Sequence, residues 1–261
     1  GSIKLVLDDV AKNSSGNAIK TKFNTNYNDN AYVGYMYGTP GSTSYDATHE
    51  NKNDSTIKIA VDKWYEDNLK TNYANYLADT LFCGDKTLAE DGIGGYTTQL
   101  GYRRITTYYS TTERLRYNSG TTDITTSIPT LKCAEKANDN YSRYTTTKGI
   151  LPDGKETNGN LIYPIGLLTA DEVAYAGAYK FNVTNRTYYL YNSSISSFWW
   201  LLSPSVFNGS YAFGWAVDGS SGSIFNLNSS YAFRPSINLK ADLLINGGDG
   251  TSSNPYTVKL S

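Results

Sequence analysis

The sequence predicts an α+β fold: short antiparallel strands, two or three helices and long loops. Three observations carry this. Short apolar runs bounded by Gly, Asn, Asp and Ser recur toward both ends of the chain, as strands and turns require. Two windows carry helix signals, residues 55–69 by apolar periodicity and the stretch from Ala170 by a capping box. Between them, residues 84–160 are polar, poorly periodic and clustered in Gly and Thr.

In chain order, Ile3–Leu7 reads as a strand, Asn24–Asn30 as a loop and Ala31–Tyr37 as a second apolar run. A helix is expected over Ser55–Leu69, with Asn53 and Asp54 as N-cap candidates and Ile57, Val61, Trp64 and Tyr65 at helical spacing. A second helix is expected over Thr71–Leu81. Residues 84–160 read as long loops with a few strands, Thr106–Tyr117 holding one strand or helical turn. From Leu161 the pattern gives a strand, then a helix starting near Ala170, because Thr169 and Glu172 form a capping box. Tyr188–Tyr191, Phe198–Pro204 and the stretch beyond read as closely spaced strands. Asp218–Gly222, flanked by apolar runs, marks a hairpin. No linker divides the chain, so residues 1–261 are read as one domain. Its N-terminal part, 1–160, carries helices and loop insertions, and 161–261 form the core and a binding face. The repeated Asn-x-Ser-Tyr-Ala-Phe, at Asn208 and Asn228, spans two strands and is no solenoid.

The composition is rich in tyrosine, 24 of 261 residues, and low in charge, at 18%. Such surfaces are frequent on extracellular proteins and paratopes, where Tyr gives contact area at low entropy cost. A net charge of −1 gives no field for nucleic acid or anionic membrane. No apolar run is long enough for a membrane helix, so no direct insertion is expected. Gly1-Ser2 ahead of Ile3 reads as an expression scar on a trimmed ectodomain, with a leader or anchor expected outside it. The expected location is the extracellular cell surface.

The inventory for catalysis is nearly empty. His49 is the only histidine and lies in a polar stretch, which reads as a solvated loop; no nucleophile elbow accompanies it. Gly92–Gly95 lacks the strand–helix frame of a phosphate cradle. Asp8-Asp9, Asp29 and Asp249 match no twelve-residue calcium loop, although a structural calcium held by loop carbonyls and Asp249 or Asp242 is chemically allowed. No other cofactor is expected. Cys83 and Cys133 sit in no zinc pattern. They are either two buried thiols or, as the even count and extracellular composition favour, a disulfide closing about 50 residues and contributing about 4 kcal/mol.

Three stretches carry a resemblance: residues 163–177, residues 198–204, and residues 231–258 with their aromatic-Arg-Pro-x-Ile-x-Leu pattern. Together they resemble the C-type-lectin-like domains of bacterial surface proteins, most closely extracellular domains of gut Firmicutes, and the ending resembles variable proteins of diversity-generating retroelements. Residues 32–38 and 54–69 extend the likeness upstream to the gut group. The resemblance implies a buried, hydrogen-bonded Arg234, a strand edge fixed by Pro235, and Trp199, Trp200 and Trp215 packed beneath a face formed by residues between Phe207 and Tyr231. Formylglycine-generating enzymes share the broader fold but need a C-terminal cysteine pair, and none lies beyond Cys133.

Residues 203–233 contain no Lys, Glu, Gln or Met. Adenine-directed mutagenesis of Asn codons cannot produce those four, so the composition matches a diversified face; a fixed binding face has the same composition. Strand alternation puts Tyr211, Phe213 and Trp215 on one side and Ala212, Gly214 and Ala216 on the other. Only one side is expected to be core. Either the aromatics are exposed, or recognition falls to the loops with Tyr211 and Phe213 at the rim, the arrangement we favour. The candidate ligand-binding set is therefore Phe207, Asn208, Ser210, Tyr211, Phe213, Trp215, Asp218, Ser220, Ser221, Phe225, Asn226, Asn228 and Ser229. The expected function is non-enzymatic ligand binding or adhesion, with a host, phage or bacterial surface protein or glycan as partner. The rivals are a pilin-like structural subunit and a hydrolase using Asp171 and Glu172 with Asp62.

Overall fold

A computed structural model describes residues 2–117, 128–133, 140–178, 186–218, 222–251 and 253–259. It is an α+β fold, mostly sheet. The strands in chain order are β1 (Ile3–Val6), β2 (Thr21–Lys22), β3 (Met36–Tyr37), β4 (Asn53–Asp54), β5 (Phe82–Cys83), β6 (Thr107–Tyr108), β7 (Arg143–Tyr144), β8 (Ile165–Gly166), β9 (Trp199–Phe207), β10 (Ala212–Val217), β11 (Gly222–Asn226), β12 (Ser230–Phe233), β13 (Ser236–Leu239), β14 (Ile245–Gly247) and β15 (Thr257–Val258). The α-helices are α1 (Tyr45–His49), α2 (Thr56–Asn68), α3 (Ser110–Thr112) and α4 (Ala170–Tyr175).

The central sheet runs β11-β10-β9-β12-β2, with β6 also on β9. The β9–β10–β11 pairings are antiparallel, as the hairpin signal predicts, whereas β12 lies parallel to β9 at Trp199 and Trp200. Pro204 sits inside β9, where a ladder proton would be missing. The register against β10 shifts there, opposite Gly214, so the proline falls in an irregular stretch. A smaller sheet, β1-β13-β8, joins the first strand to a late one, with Ile3 opposite Leu239.

The sheet is buried on both faces, contrary to the expectation of one core side. On one face Trp200, Leu202, Ala212 and Ala216 meet Phe23, Ile57, Val61 and Tyr65. On the other, Trp199, Leu201, Trp215 and Val217 meet Ala170, Val173, Tyr188 and Ile195. Burying each such aliphatic side chain contributes about 1.5–3 kcal/mol. The second cover comes from α4 and the 188–195 segment, and strand alternation within β10 carries no signal of it.

α2 matches the predicted helix, but its N-cap is Ser55, whose side chain accepts from Lys58 N; Asn53 and Asp54 instead form β4 against β3. The expected helix over Thr71–Leu81 is absent. Only a 3-10 turn, Ala74–Tyr76, forms, after which Leu77 bridges Leu239 and Ala78 N donates to Asn238 O. Sheet pairing with β13 overrides the local helix preference. Tyr188–Tyr191 is turn rather than strand, closed by Tyr191 N to Tyr188 O. The Thr169–Glu172 capping box forms at α4. Cys83 and Cys133 are joined as a disulfide, their Cα atoms 5.5 Å apart. Arg234 is buried, donates to Leu7 O (2.8 Å) and Leu190 O (3.0 Å), and lies over the Trp199 ring. Among the described residues no helix is long and apolar enough to cross a membrane.

Candidate functional site

The β9–β10–β11 sheet places two turns side by side. The first joins β9 to β10: Asn208 Oδ1 accepts from Ser210 N (3.0 Å) and Tyr211 N (2.8 Å), and Gly209 takes φ 93°, which glycine adopts without strain. The second follows β11. Asn226, opposite Phe213, accepts from Asn228 N through Oδ1 (3.2 Å) and from Ser229 N through its backbone oxygen (2.9 Å). Each is an Asx-type turn held by its own side-chain amide oxygen.

Tyr211 is 46% exposed and its ring lies 5.5 Å from that of Tyr27, while Ala212 N donates to Tyr27 O. Asn208 and Ser210 are exposed; Phe213, Phe225, Asn226, Asn228 and Ser229 are half-buried. Phe225 is turned inward, 4.5 Å from Phe198 and 4.8 Å from Tyr231, on the face where Gly214 leaves room. Phe207 is 0% and Trp215 3% exposed: the structure buries both in the cores of the sheet's two faces rather than on the surface. Asp218 lies at the other end of the β10–β11 ladder, beyond Val217 opposite Gly222. Four residues of strand separate the two ends, about 13 Å. Ser220 and Ser221 lie outside the described residues. The predicted set is therefore divided, and the structure gathers Asn208, Ser210, Tyr211, Phe213, Asn226, Asn228 and Ser229 at one end.

Residues that sequence reasoning missed border this patch. Tyr27 was legible only as part of an Asn-rich loop. Arg103 and Arg104 are exposed and both take positive φ, 58° and 55°. Left-handed backbone at a non-glycine residue costs about 1–3 kcal/mol and gathers at functional sites. The loop is moored by Arg104 Nε to Asp29 Oδ2 (3.4 Å) and Asn30 Nδ2 to Ile105 O (3.2 Å). A Cβ at Gly209 would lie 3.1 Å from Thr106 Oγ1, which puts this loop against the Asn208 turn.

The other candidate groups are engaged elsewhere. Arg114 donates to Asp85 Oδ2 (3.0 Å) and to both oxygens of Asp171 (3.1 and 2.9 Å). Those carboxylates hold its guanidinium charged despite burial. With Lys4, Lys132 and Glu172, these groups line a cleft of ≈ 170 Å³ beside Cys83. Glu172 completes the capping box and pairs with Lys4 (2.6 Å). Asp62 takes Lys58 Nζ at 2.7 Å; burial raises its carboxyl, opposed by that lysine. Each carboxylate of the hydrolase reading thus already holds a structural partner. Asp249 Oδ1 caps Thr251 N and Oγ1. Among the described residues no group of three or more His, Cys, Asp or Glu gathers as metal ligands.

His49 is not solvated. It is fully buried at the end of α1, with Nε2 donating to Gly101 O at 2.9 Å and Nδ1 lacking a hydrogen-bond partner. Burial, aided by the charge of Lys86, lowers its pKa to about 3.

Comparison with known proteins gives no match to a family model, to a curated protein or to a solved structure.

Proposed function

We propose that this chain is a non-enzymatic, extracellular ligand-binding or adhesion domain of C-type-lectin-like fold. Its contact surface is the end of the central sheet formed by the two Asn-capped turns. The observation that carries the reading is Tyr211: a large aromatic ring left exposed, paired with Tyr27 and set on strands buried on both faces. Aromatic rings beside fixed amides and hydroxyls suit sugar stacking or a protein epitope. Arg103 and Arg104 at the margin favour ligands that carry carboxylates. The lectin-like assignment draws support from the successive antiparallel strands β9, β10 and β11 and from the buried Arg234 after β12. The lack of Lys, Glu, Gln and Met over residues 203–233 fits a face that varies between sibling genes.

Glycan and cell-surface protein arrays test this. The wild type should bind a defined subset, Tyr211→Ala should lose that binding by tenfold or more, and Asp218→Ala should keep it. Equal binding by wild type and Tyr211→Ala would remove the surface from consideration.

A further inference from the structure

Lys86 is fully buried and held on all sides. Its Nζ donates to His49 O (2.8 Å) and to Asn51 Oδ1 (2.7 Å) and stands 5.6 Å from the Tyr144 ring centre. Gly34 makes room for it, since a Cβ there would lie 2.7 Å from Lys86 Cε. Asn51 is equally fixed. Its Oδ1 also accepts from Tyr144 Oη (3.2 Å), and its Nδ2 donates to Tyr141 O (3.1 Å) and Asn160 Oδ1 (3.2 Å). On the Nδ2 side, Asn51, Tyr141 and Asn160 line an open polar cleft of ≈ 280 Å³, with Glu50, Lys52, Lys148 and Asn158.

From this geometry we infer that Lys86 and Asn51 form an intramolecular isopeptide bond. Lys86 Nζ is already hydrogen-bonded to the carbonyl group whose carbon it would attack, and the contacts above hold both side chains in that arrangement. Lys86 first gives up one ammonium proton, freeing the Nζ lone pair to add to Asn51 Cγ and give a tetrahedral centre whose oxyanion the Tyr144 hydroxyl stabilises; Nζ gives up a second proton as this centre collapses, and both protons end on Nδ2. The Cγ–Nδ2 bond then breaks, and Nδ2 departs into the cleft. Lys86 begins as an ammonium and Asn51 as a neutral amide; the products are a neutral secondary amide and an ammonium ion. Charge and atoms balance, and no oxidant or co-reactant is needed. The driving force is electrostatic: a cation in a buried site is replaced by an amide, and the charge moves to water.

The intact mass of the non-reduced protein tests this directly. The cross-linked chain is lighter than its sequence by one ammonia, beyond the two hydrogens lost to the disulfide. After reduction and proteolysis, one branched peptide should join the segments carrying Asn51 and Lys86, and Lys86→Met should recover the missing ammonia. A protein of full mass, with the two residues in separate peptides, overturns the inference. So does a light protein whose deficit maps to a cyclised Asn-Gly site such as Asn208-Gly209. Both readings use the wild type, so the outcome does not depend on the variant folding.

Discussion

Acidification should destabilise this protein through one residue. His49 has a folded-state pKa of about 3 against an ordinary 6.5. Protonating the buried ring would place a charge in a desolvated site and a proton on an Nδ1 with no acceptor. Below pH 6.5 the unfolded chain therefore binds a proton that the folded chain refuses, and stability falls as pH falls. At pH 5 the loss is RT ln(1 + 10^1.5), about 2 kcal/mol; at pH 3 it is about 4 kcal/mol, and it levels off at about 5 kcal/mol below that. The pH 5 figure depends on the unfolded value alone, provided the folded value lies well below 5. The assay is urea or thermal unfolding at pH 7.5 and 5.0 for wild type and His49→Gln. The wild type should lose about 2 kcal/mol, a midpoint drop of about 5 °C for a chain of this size. His49→Gln should be less stable at pH 7.5 but nearly flat between the two conditions. Asp62, whose raised carboxyl gains stability on acidification, is common to both proteins and cancels. Parallel pH dependences in the two proteins would refute the argument.

Arg114→Ala should cost about 3–5 kcal/mol, because it strands the buried carboxylates of Asp85 and Asp171; denaturant midpoints measure it. Disulfide reduction, or Cys83→Ser with Cys133→Ser, should cost about 4 kcal/mol for a loop of this length, read in the same way. Trp215→Ala should cost about 3–5 kcal/mol, and at a temperature where the variant is still folded its ligand affinity should be unchanged. Arg104→Gly should change stability by less than about 1 kcal/mol, since the loss of its Asp29 contact is offset by relief of positive φ, yet it should weaken any acidic ligand measurably.

What the sequence made legible was local or chemically unambiguous. The Thr169–Glu172 box, the antiparallel pairing of β10 with β11, the face of α2 and the cysteine pair each rest on a few neighbouring residues or on one reaction. What it hid was set by distant partners. Residues 71–81 have helical character, but Leu77 and Ala78 meet β13, more than 150 residues away. His49 sits in a polar stretch, yet Tyr45, Gly101 and Tyr109 close over it. Trp215 belonged to a binding face only while one side of the sheet was assumed open; α4 and Tyr188 cover that side, and Phe207 is buried in the core on the other face. The candidate surface was half legible. Asn208 caps its turn within the Asn-x-Ser-Tyr-Ala-Phe repeat, but the second turn is capped by Asn226, two residues ahead of the repeated Asn228, and the contributions of Tyr27 and the arginine loop come from segments about 100 to 180 residues upstream.

The pairing of β1 with β13 has a mechanical consequence. Ile3 faces Leu239 and Val6 faces Ser236, so the outward ends of both strands lie at the same end of the ladder. Tension applied through the two tails would load one rung at a time, beginning at Ile3 and Leu239, as a zipper opens. It would not load all rungs together in shear. Rupture of the β1–β13 contact should therefore need little force, and β1 should peel away first, before the doubly covered β9 and its Asn-capped turns carry any load.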